Sequence, residues 1–201
     1  MTTLSVVIPA RNEGENIAAL VRAIDVALQA HQPFEIIVVD DGSTDDTAAR
    51  VRAMGLAHVR LLRHSVSAGQ SAAVHSGVLA ARAPLICTLD GDGQNPPEEL
   101  PRLIAPLLAD AAGLVGLVAG QRVKRQDTWS KKLASRLANA LRGWMLQDGT
   151  RDTGCGLKAF RRDAFLALPY FNHMHRYLPA LFARDGWQVA HVDVSHRPRG
   201  A

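Results

Sequence analysis

The sequence predicts an α/β domain with a mostly parallel central sheet and helices on both faces. Three observations predict it. Short apolar or β-branched runs alternate four times with stretches of helical spacing. The connections between them are short, as expected of repeated strand–helix units. Polar clusters follow three of the predicted strands, at the sheet edge where parallel sheets bind ligands.

The elements can be justified in order. Residues 4–8 are β-branched and apolar and form a first strand, followed by the polar loop 9–14. Ile17, Leu20, Val21, Ile24 and Leu28 fall at helical spacing within 16–30. Residues 34–39 form a second strand that runs into Asp40-Asp41-Gly42-Ser43-Thr44-Asp45. A helix follows, with Ser43 or Thr44 as its cap and Asp45 and Asp46 favourable in its first turn. Residues 59–62 are a third strand, 70–81 a small-residue helix and 84–89 a fourth, apolar strand. Pro97, with Glu98 and Glu99 behind it, signals a helix start. Residues 103–120 contain Pro106, Asp110, Gly113 and Gly116, and read as a helix end, a turn near 110–113 and a strand at 117–121. That stretch is too interrupted for a membrane span.

With 201 residues, 47% of them hydrophobic and 21% charged, one domain covering 1–201 is expected. The net charge of +4 is mild, and no nucleic-acid partner is expected. Two cysteines, Cys87 and Cys155, suggest neither a disulfide framework nor a zinc site, and fit a reducing compartment. Residues 1–5 lack the basic and apolar regions of a secretory signal.

The motif with most chemistry is Leu89-Asp90-Gly91-Asp92-Gly93-Gln94-Asn95-Pro96-Pro97-Glu98, directly after the fourth strand. At a strand end, residues two apart point the same way, so Asp90 and Asp92 present two carboxylates to one point. Hard oxygen ligands of this kind suit Mg²⁺ or Mn²⁺, which commonly reach protein through one or two carboxylates plus substrate phosphates. A calcium-binding EF-hand loop would need a glycine where Asn95 stands. An aspartyl-phosphate phosphatase would carry the acidic pair after its first strand. No Gly-x-Gly-x-x-Gly follows the first strand and no Gly-x-x-x-x-Gly-Lys-Ser/Thr occurs, which disfavours dinucleotide oxidoreductases and P-loop NTPases. Phosphates must then be handled by a metal and basic side chains.

Val6-Val7-Ile8-Pro9-Ala10-Arg11-Asn12-Glu13, the run 38–47 around Asp40-Asp41, and Asp90 to Glu98 together resemble the family-2 glycosyltransferases of the GT-A fold. The likeness is greatest to the polyprenyl-phosphate sugar transferases of the dolichol-phosphate mannose synthase type. Gly120-Gln121-Arg122, Asp152-Thr153-Gly154-Cys155-Gly156-Leu157-Lys158-Ala159-Phe160 and His196-Arg197-Pro198-Arg199 extend it. The resemblance implies a Rossmann-like nucleotide-sugar domain in which Pro9, Arg11, Glu13, Asp40, Asp41 and Asp90 serve the nucleotide sugar, with Asp40 at the base. The bland alternative for Asp41 and Asp45 is capping and turn work. Asp90, Asp92 and Gln94 would hold Mg²⁺ or Mn²⁺. Asp92 is implied as catalytic, as is Arg197, for which a solvated basic tail is the alternative. Members of the family usually continue beyond the last motif, so the chain is expected to be either cut short at its C-terminal end or a naturally short form.

For the acceptor, the likeness implies Arg122, Lys131 and Ser135 around the phosphate of a polyprenyl lipid. Lys131 stands where an arginine is often found, and an ammonium cannot make the two-pronged contact of a guanidinium. Trp129, Leu133, Leu137, Leu141 and Trp144 form an apolar stripe opposite basic and polar residues. That pattern suits either a membrane surface or an ordinary core-facing helix. A phosphate monoester, with a second pKa of about 6, can attack without a general base. The stretch 153–158 lacks the acidic pair that often supplies a base to hydroxyl acceptors. The expected activity is inverting transfer of a hexose from a nucleotide-diphosphate sugar of the GDP-mannose or UDP-glucose type to polyprenyl phosphate. It would take place peripherally at the cytoplasmic face of a membrane. Transfer to a hydroxyl with Asp152 as base, and a non-catalytic nucleotide-sugar-binding module, remain alternatives.

Overall fold

A computed structural model of the chain describes residues 2–123, 150, 152 and 154–197. In chain order the elements are β1 (Leu4–Ala10), α1 (Gly14–Ala27), β2 (Phe34–Asp41), α2 (Thr47–Ala53), β3 (Val59–His64), α3 (Gln70–Ala80) and β4 (Leu85–Thr88). Then come α4 (Leu100–Ala109), β5 (Val115–Arg122), β6 (Lys158–Arg161), α5 (Arg162–Leu166), α6 (Leu178–Arg184) and β7 (Gln188–Val194). The amphipathic stretch 129–144, with Lys131 and Ser135, lies outside the described residues.

The strands form one seven-stranded sheet in the order β3-β2-β1-β4-β6-β5-β7. β1, β2, β3 and β4 are mutually parallel, and β7 is parallel to β5. β6 runs antiparallel to both β4 and β5, which the alternation of the sequence did not reveal. Strand order reverses at β1: β2 and β3 lie on one side and β4 on the other. Such a switch point opens a crevice at the carboxyl ends of the two central strands. Here those ends carry Pro9 to Glu13 and Asp90 to Asp92.

Strand alternation sends side chains to two cores. Val6, Ile8, Ile36 and Val38 pack with Ile17, Leu20 and Ile24 of α1 and Leu100, Leu103 and Leu107 of α4. Val7, Ile37 and Val39 pack on the other face with Ala73, Val74 and Val78 of α3 and with Phe165 and Phe182. Burial on both faces explains why β1 and β2 read as continuous apolar runs. Helix α3 lies so close to β1 that a Cβ on Gly77 would sit 2.4 Å from Val7 Cγ1.

Two local expectations change. The cap of α2 is Asp46, and neither Ser43 nor Thr44 caps it. Ser43 Oγ instead accepts a hydrogen bond from the Asn12 amide at 2.9 Å, so a tertiary partner took the oxygen a cap would use. The Pro97 signal marks a single 3₁₀ turn, Pro97–Glu99, and the α-helix proper begins at Leu100.

Candidate active site

Two polar loops are laced together at the ends of β1 and β2. The Glu13 amide donates to Thr47 Oγ1 at 2.9 Å, Gly14 to Asp45 Oδ2 at 3.0 Å, and Thr44 to Asn12 Oδ1 at 2.9 Å. Asn12 holds φ +55°, a conformation that asparagine tolerates better than most residues. These bonds fix the frame that carries Pro9, Arg11 and Glu13.

Those three residues line a cavity of about 370 Å³ together with Asp41, Asp90 and Asp92. Six of the residues singled out from sequence therefore share one cleft. A second cavity of about 220 Å³ adjoins it through Pro9, Gln70 and Asp90. Its walls include Thr88, Gly156, Lys158, His175 and Arg176.

Asp90 sits between the two cavities. Gln70 Nε2 donates to its Oδ1 at 2.7 Å and Asn95 Nδ2 to its Oδ2 at 3.2 Å. Burial, then the nearby charge of Asp92, push its carboxyl above the usual range, against the pull of Lys158, Asn95 and Arg122. Asp92 Oδ1 accepts the Gln94 amide at 3.1 Å, which folds the loop back on itself. A divalent cation would relieve the charge of a carboxylate raised by burial and by an acidic neighbour, and the hard-oxygen pair fits Mg²⁺ or Mn²⁺ chemically. No group of three or more His, Cys, Asp or Glu side chains is assembled for a metal among the described residues. Among the described residues, Asp90 and Asp92 are the two carboxylates that could hold such an ion.

Gly156 makes room for this arrangement. A Cβ there would lie 2.2 Å from Asp90 Oδ2. Lys158 is almost wholly buried; its Nζ donates to the Cys155 carbonyl, and burial pushes its pKa down. His175 Nδ1 is 2.7 Å from Ser71 Oγ. Burial, then the charges of Lys158 and Arg176, bring the imidazole down to about 4, so it is neutral at physiological pH.

Asp41 lines the larger cavity yet serves the fold. It accepts hydrogen bonds from His64 Nδ1 (2.7 Å), Ser67 Oγ (2.7 Å), Ala68 N (2.8 Å) and Gly69 N (2.9 Å). Burial alone would raise its pKa, but these donors bring it to about 2. The anchored loop 67–69 crosses Gly42, whose φ is +68° and where a Cβ would lie 2.6 Å from the Ser67 amide nitrogen. Asp40 is fully buried and lines neither cavity. Its Oδ1 accepts the Ser43 amide at 2.8 Å, and Arg63 Nε lies 3.1 Å from Oδ2 without the angle of a hydrogen bond. The half-exposed Arg63 is thus the charged neighbour of Asp40 on the side open to solvent.

The remaining expected residues are placed at the margins. Arg122 makes a two-pronged pair with Asp152, Nε to Oδ2 at 2.6 Å and Nη2 to Oδ1 at 2.8 Å. The hydrogen bonds from Arg122 to Asp152 raise the arginine pKa. Arg197 donates its amide to the Gln94 carbonyl at 2.9 Å, and its guanidinium pairs with Glu98. Neither Gln94 nor Arg197 lines either cavity. Ser195 bonds Glu99 Oε1 through its amide (3.0 Å) and hydroxyl (2.8 Å), so residues 195–197 lace the far side of the Asp90–Glu98 loop.

Sequence reasoning missed Gln70, Lys158 and His175 as cleft residues, and Asn95 as the buried partner of Asp90. Lys158 had a readable signal, a lone cation inside the apolar run Leu157 to Phe160. His175 had none, because its partner Ser71 is 104 residues away.

A parallel sheet with one inserted antiparallel strand, a switch-point crevice and an Asp-x-Asp at its mouth define the GT-A type of nucleotide-sugar domain. The model of the family described as glycosyl transferase family 2 matches residues 5–168, and the chain belongs to that family. It is 36% identical over 200 residues to the undecaprenyl-phosphate 4-deoxy-4-formamido-L-arabinose transferase of Sodalis glossinidius, covering 98% of this chain and 60% of that protein. The transferase of the same name from Proteus mirabilis is 34% identical over 200 residues, with the same coverage. The chain thus spans about 60% of the length of these relatives. Among solved structures, it resembles glucosyl-3-phosphoglycerate synthase from Mycobacterium tuberculosis in complex with UDP, with a TM-score of 0.78 and 26% identity over 100% of this chain and 73% of the other. The same synthase with Mn²⁺, UDP-glucose and glycerol 3-phosphate gives a TM-score of 0.76 at 26% identity, covering 98% and 73%.

Proposed function

We propose that this chain is the catalytic domain of an inverting glycosyltransferase that moves a sugar from a nucleoside-diphosphate donor to polyprenyl phosphate. The observation that carries the proposal is Asp90 on the shared wall of two adjoining cavities, with Asp92 beside it in the larger one. The sequence relatives, named for transfer to undecaprenyl phosphate, support the acceptor. The solved complexes with UDP and UDP-glucose support a uridine donor over a guanosine one. The relatives' sugar is a substituted pentose, so the proposal widens the expected hexose to a glycosyl unit.

The donor diphosphate would lie in the larger cavity, beside Pro9, Arg11 and Glu13. Asp90 and Asp92 would hold the divalent cation, and the Mn²⁺ complexes of the structural relative support that assignment. When bound, the ion supplies charge neutralisation for the departing nucleoside diphosphate. Gln70 and Asn95 fix the Asp90 carboxylate by hydrogen bonds to each oxygen. Lys158 adds positive charge from beneath the second cavity, where the reacting sugar would lie.

The acceptor phosphate is its own nucleophile. It is ionised near neutral pH, so no proton has to be removed before attack on the anomeric carbon. Direct displacement inverts that centre. Both oxygens of Asp152 accept charge-assisted bonds from Arg122, which makes Asp152 a poor general base and disfavours a hydroxyl acceptor. Arg122 is also held away from lipid phosphate by this pairing, so its acceptor role requires exchange of partners. Lys131 and Ser135 keep their proposed acceptor-phosphate role on resemblance alone. Among the described residues no helix is long and apolar enough to cross a membrane, and peripheral attachment at the cytoplasmic face is part of the proposal.

A thermal-shift panel of UDP-, GDP- and dTDP-sugars with and without Mn²⁺ tests donor and metal, and transfer to a short-chain polyprenyl phosphate tests the acceptor. Asp152→Asn should retain transfer to the phosphate. Near-total loss in that variant, together with transfer to a sugar hydroxyl by the wild type, would overturn the acceptor assignment. Metal-dependent binding without turnover or donor hydrolysis would leave only a binding module.

A further inference from the structure

The segment 169–177, between α5 and α6, is built unlike an ordinary surface loop. Tyr170, Phe171 and Tyr177 are 48%, 38% and 43% exposed. Aromatic side chains of this size bury themselves where they can, and three exposed within eight residues form a patch rather than scattered exceptions. The Phe171 and Tyr177 rings lie 6.2 Å apart, and Tyr170 leans on His75 at 5.0 Å. The stretch Pro-Tyr-Phe-Asn-His-Met-His-Arg-Tyr contains no acidic residue and one arginine, Arg176.

The loop is also held in place. Met174 is buried, and His175 is tied to Ser71 of α3. Backbone bonds from Met174 N to Phe171 O (3.2 Å), Arg176 N to His173 O (3.0 Å) and Tyr177 N to Met174 O (2.8 Å) close a compact turn. The aromatic rings are therefore presented on a fixed support. His175 and Arg176 of the same turn line the smaller cavity, so the patch is continuous with the mouth of the cleft.

We propose that Tyr170, Phe171 and Tyr177 are a docking face for an anionic lipid surface, seated at headgroup depth with Arg176 toward lipid phosphates. The amphipathic rings of Tyr170 and Tyr177 favour this layer, Phe171 adds apolar area, and a basic neighbour is attracted to anionic headgroups. The face rests on the reading of the acceptor as a membrane lipid, because docking here brings the smaller cavity to the bilayer. Three rings give a weak, reversible attachment, which suits a domain that must release one lipid and capture the next.

Vesicle flotation tests it. The wild type is expected to float with phosphatidylcholine–phosphatidylglycerol vesicles and less with phosphatidylcholine alone. Phe171→Glu combined with Tyr177→Glu should lower the bound fraction about tenfold, since each ring's burial is replaced by a repelled charge. Phe171→Leu should bind as the wild type does, and unchanged thermal melting of each variant keeps folding apart from docking. Equal flotation of the double variant and the wild type would overturn the docking face. So would a wild-type dimer, seen by sedimentation, that the double variant dissolves without any change in vesicle binding. Mn²⁺-dependent UDP binding, measured in parallel, separates the two proposals: its absence sinks the donor reading, whereas unaltered flotation sinks only this face.

Discussion

Asp41 and Asp90 stand at the carboxyl ends of β2 and just past β4, the two strands that flank β1, and both line the same cavity. Asp41 collects four donors, two of them backbone amides of the 67–69 loop, and is acidified to about 2. Asp90 receives two side-chain amides, faces the charge of Asp92, and is shifted the opposite way. One carboxylate is saturated from within and holds a loop. The other is buried with its charge only partly compensated, which fits the metal-holding role proposed for it. The same residue type at the same rim thus differs in how fully it is satisfied, by the number of donors that tertiary packing supplies.

The largest effect should come from the second kind. Asp90→Ala or Asp92→Ala should lower turnover on the order of a hundred- to a thousandfold and abolish Mn²⁺-dependent nucleotide binding in calorimetry, with thermal stability little changed. If either variant instead melts early while binding is retained, the division is reversed. Gly156→Ala should push the Asp90 carboxylate aside, since its Cβ would meet Oδ2 at 2.2 Å. A displacement of that size should cost about a hundredfold in kcat, read by steady-state kinetics on a folded enzyme.

Asp41→Ala should act on stability. It would strand several donors in a half-dry site and cost about 2–4 kcal/mol in urea unfolding. Nucleotide affinity should fall only as far as the 67–69 loop loosens. The smallest effect is on pH dependence. Asp41 is depressed from 3.8 to about 2, so its contribution is complete above pH 3.8 and is lost as pH falls toward 2. His175 is depressed from 6.5 to about 4, so the unfolded chain binds the extra proton first and stability falls with pH between those values. Denaturation midpoints measured across pH 4 to 6.5 should flatten in His175→Gln.

Much of the scaffold was legible. The strands around Val6, Ile36 and Ile86 are buried on both faces and leave an unbroken apolar signature that no helix boundary obscures. Asp90 and Asp92 lie in the turn beyond Thr88, the last residue of β4, so strand alternation does not set their relation, yet both line the larger cavity as their closeness in sequence suggested. The antiparallel insertion of β6 was not legible, since Lys158 to Arg161 is four residues long and its direction depends on the chain before it. Ser43 misled for a related reason: its hydroxyl could cap α2 locally, but Asn12 offered a better-placed donor from 31 residues away.

The chain by itself determined the alternation of elements, the two faces of the sheet and the placing of carboxylates at strand ends, because these follow from periodicity and neighbouring residues. Tertiary structure alone decided which carboxylate is satisfied and which is left partly compensated, and it brought Lys158 and His175 to the cleft. Protonation and hydrogen bonding depend on what surrounds a group in space, and those surroundings come from segments distant in sequence.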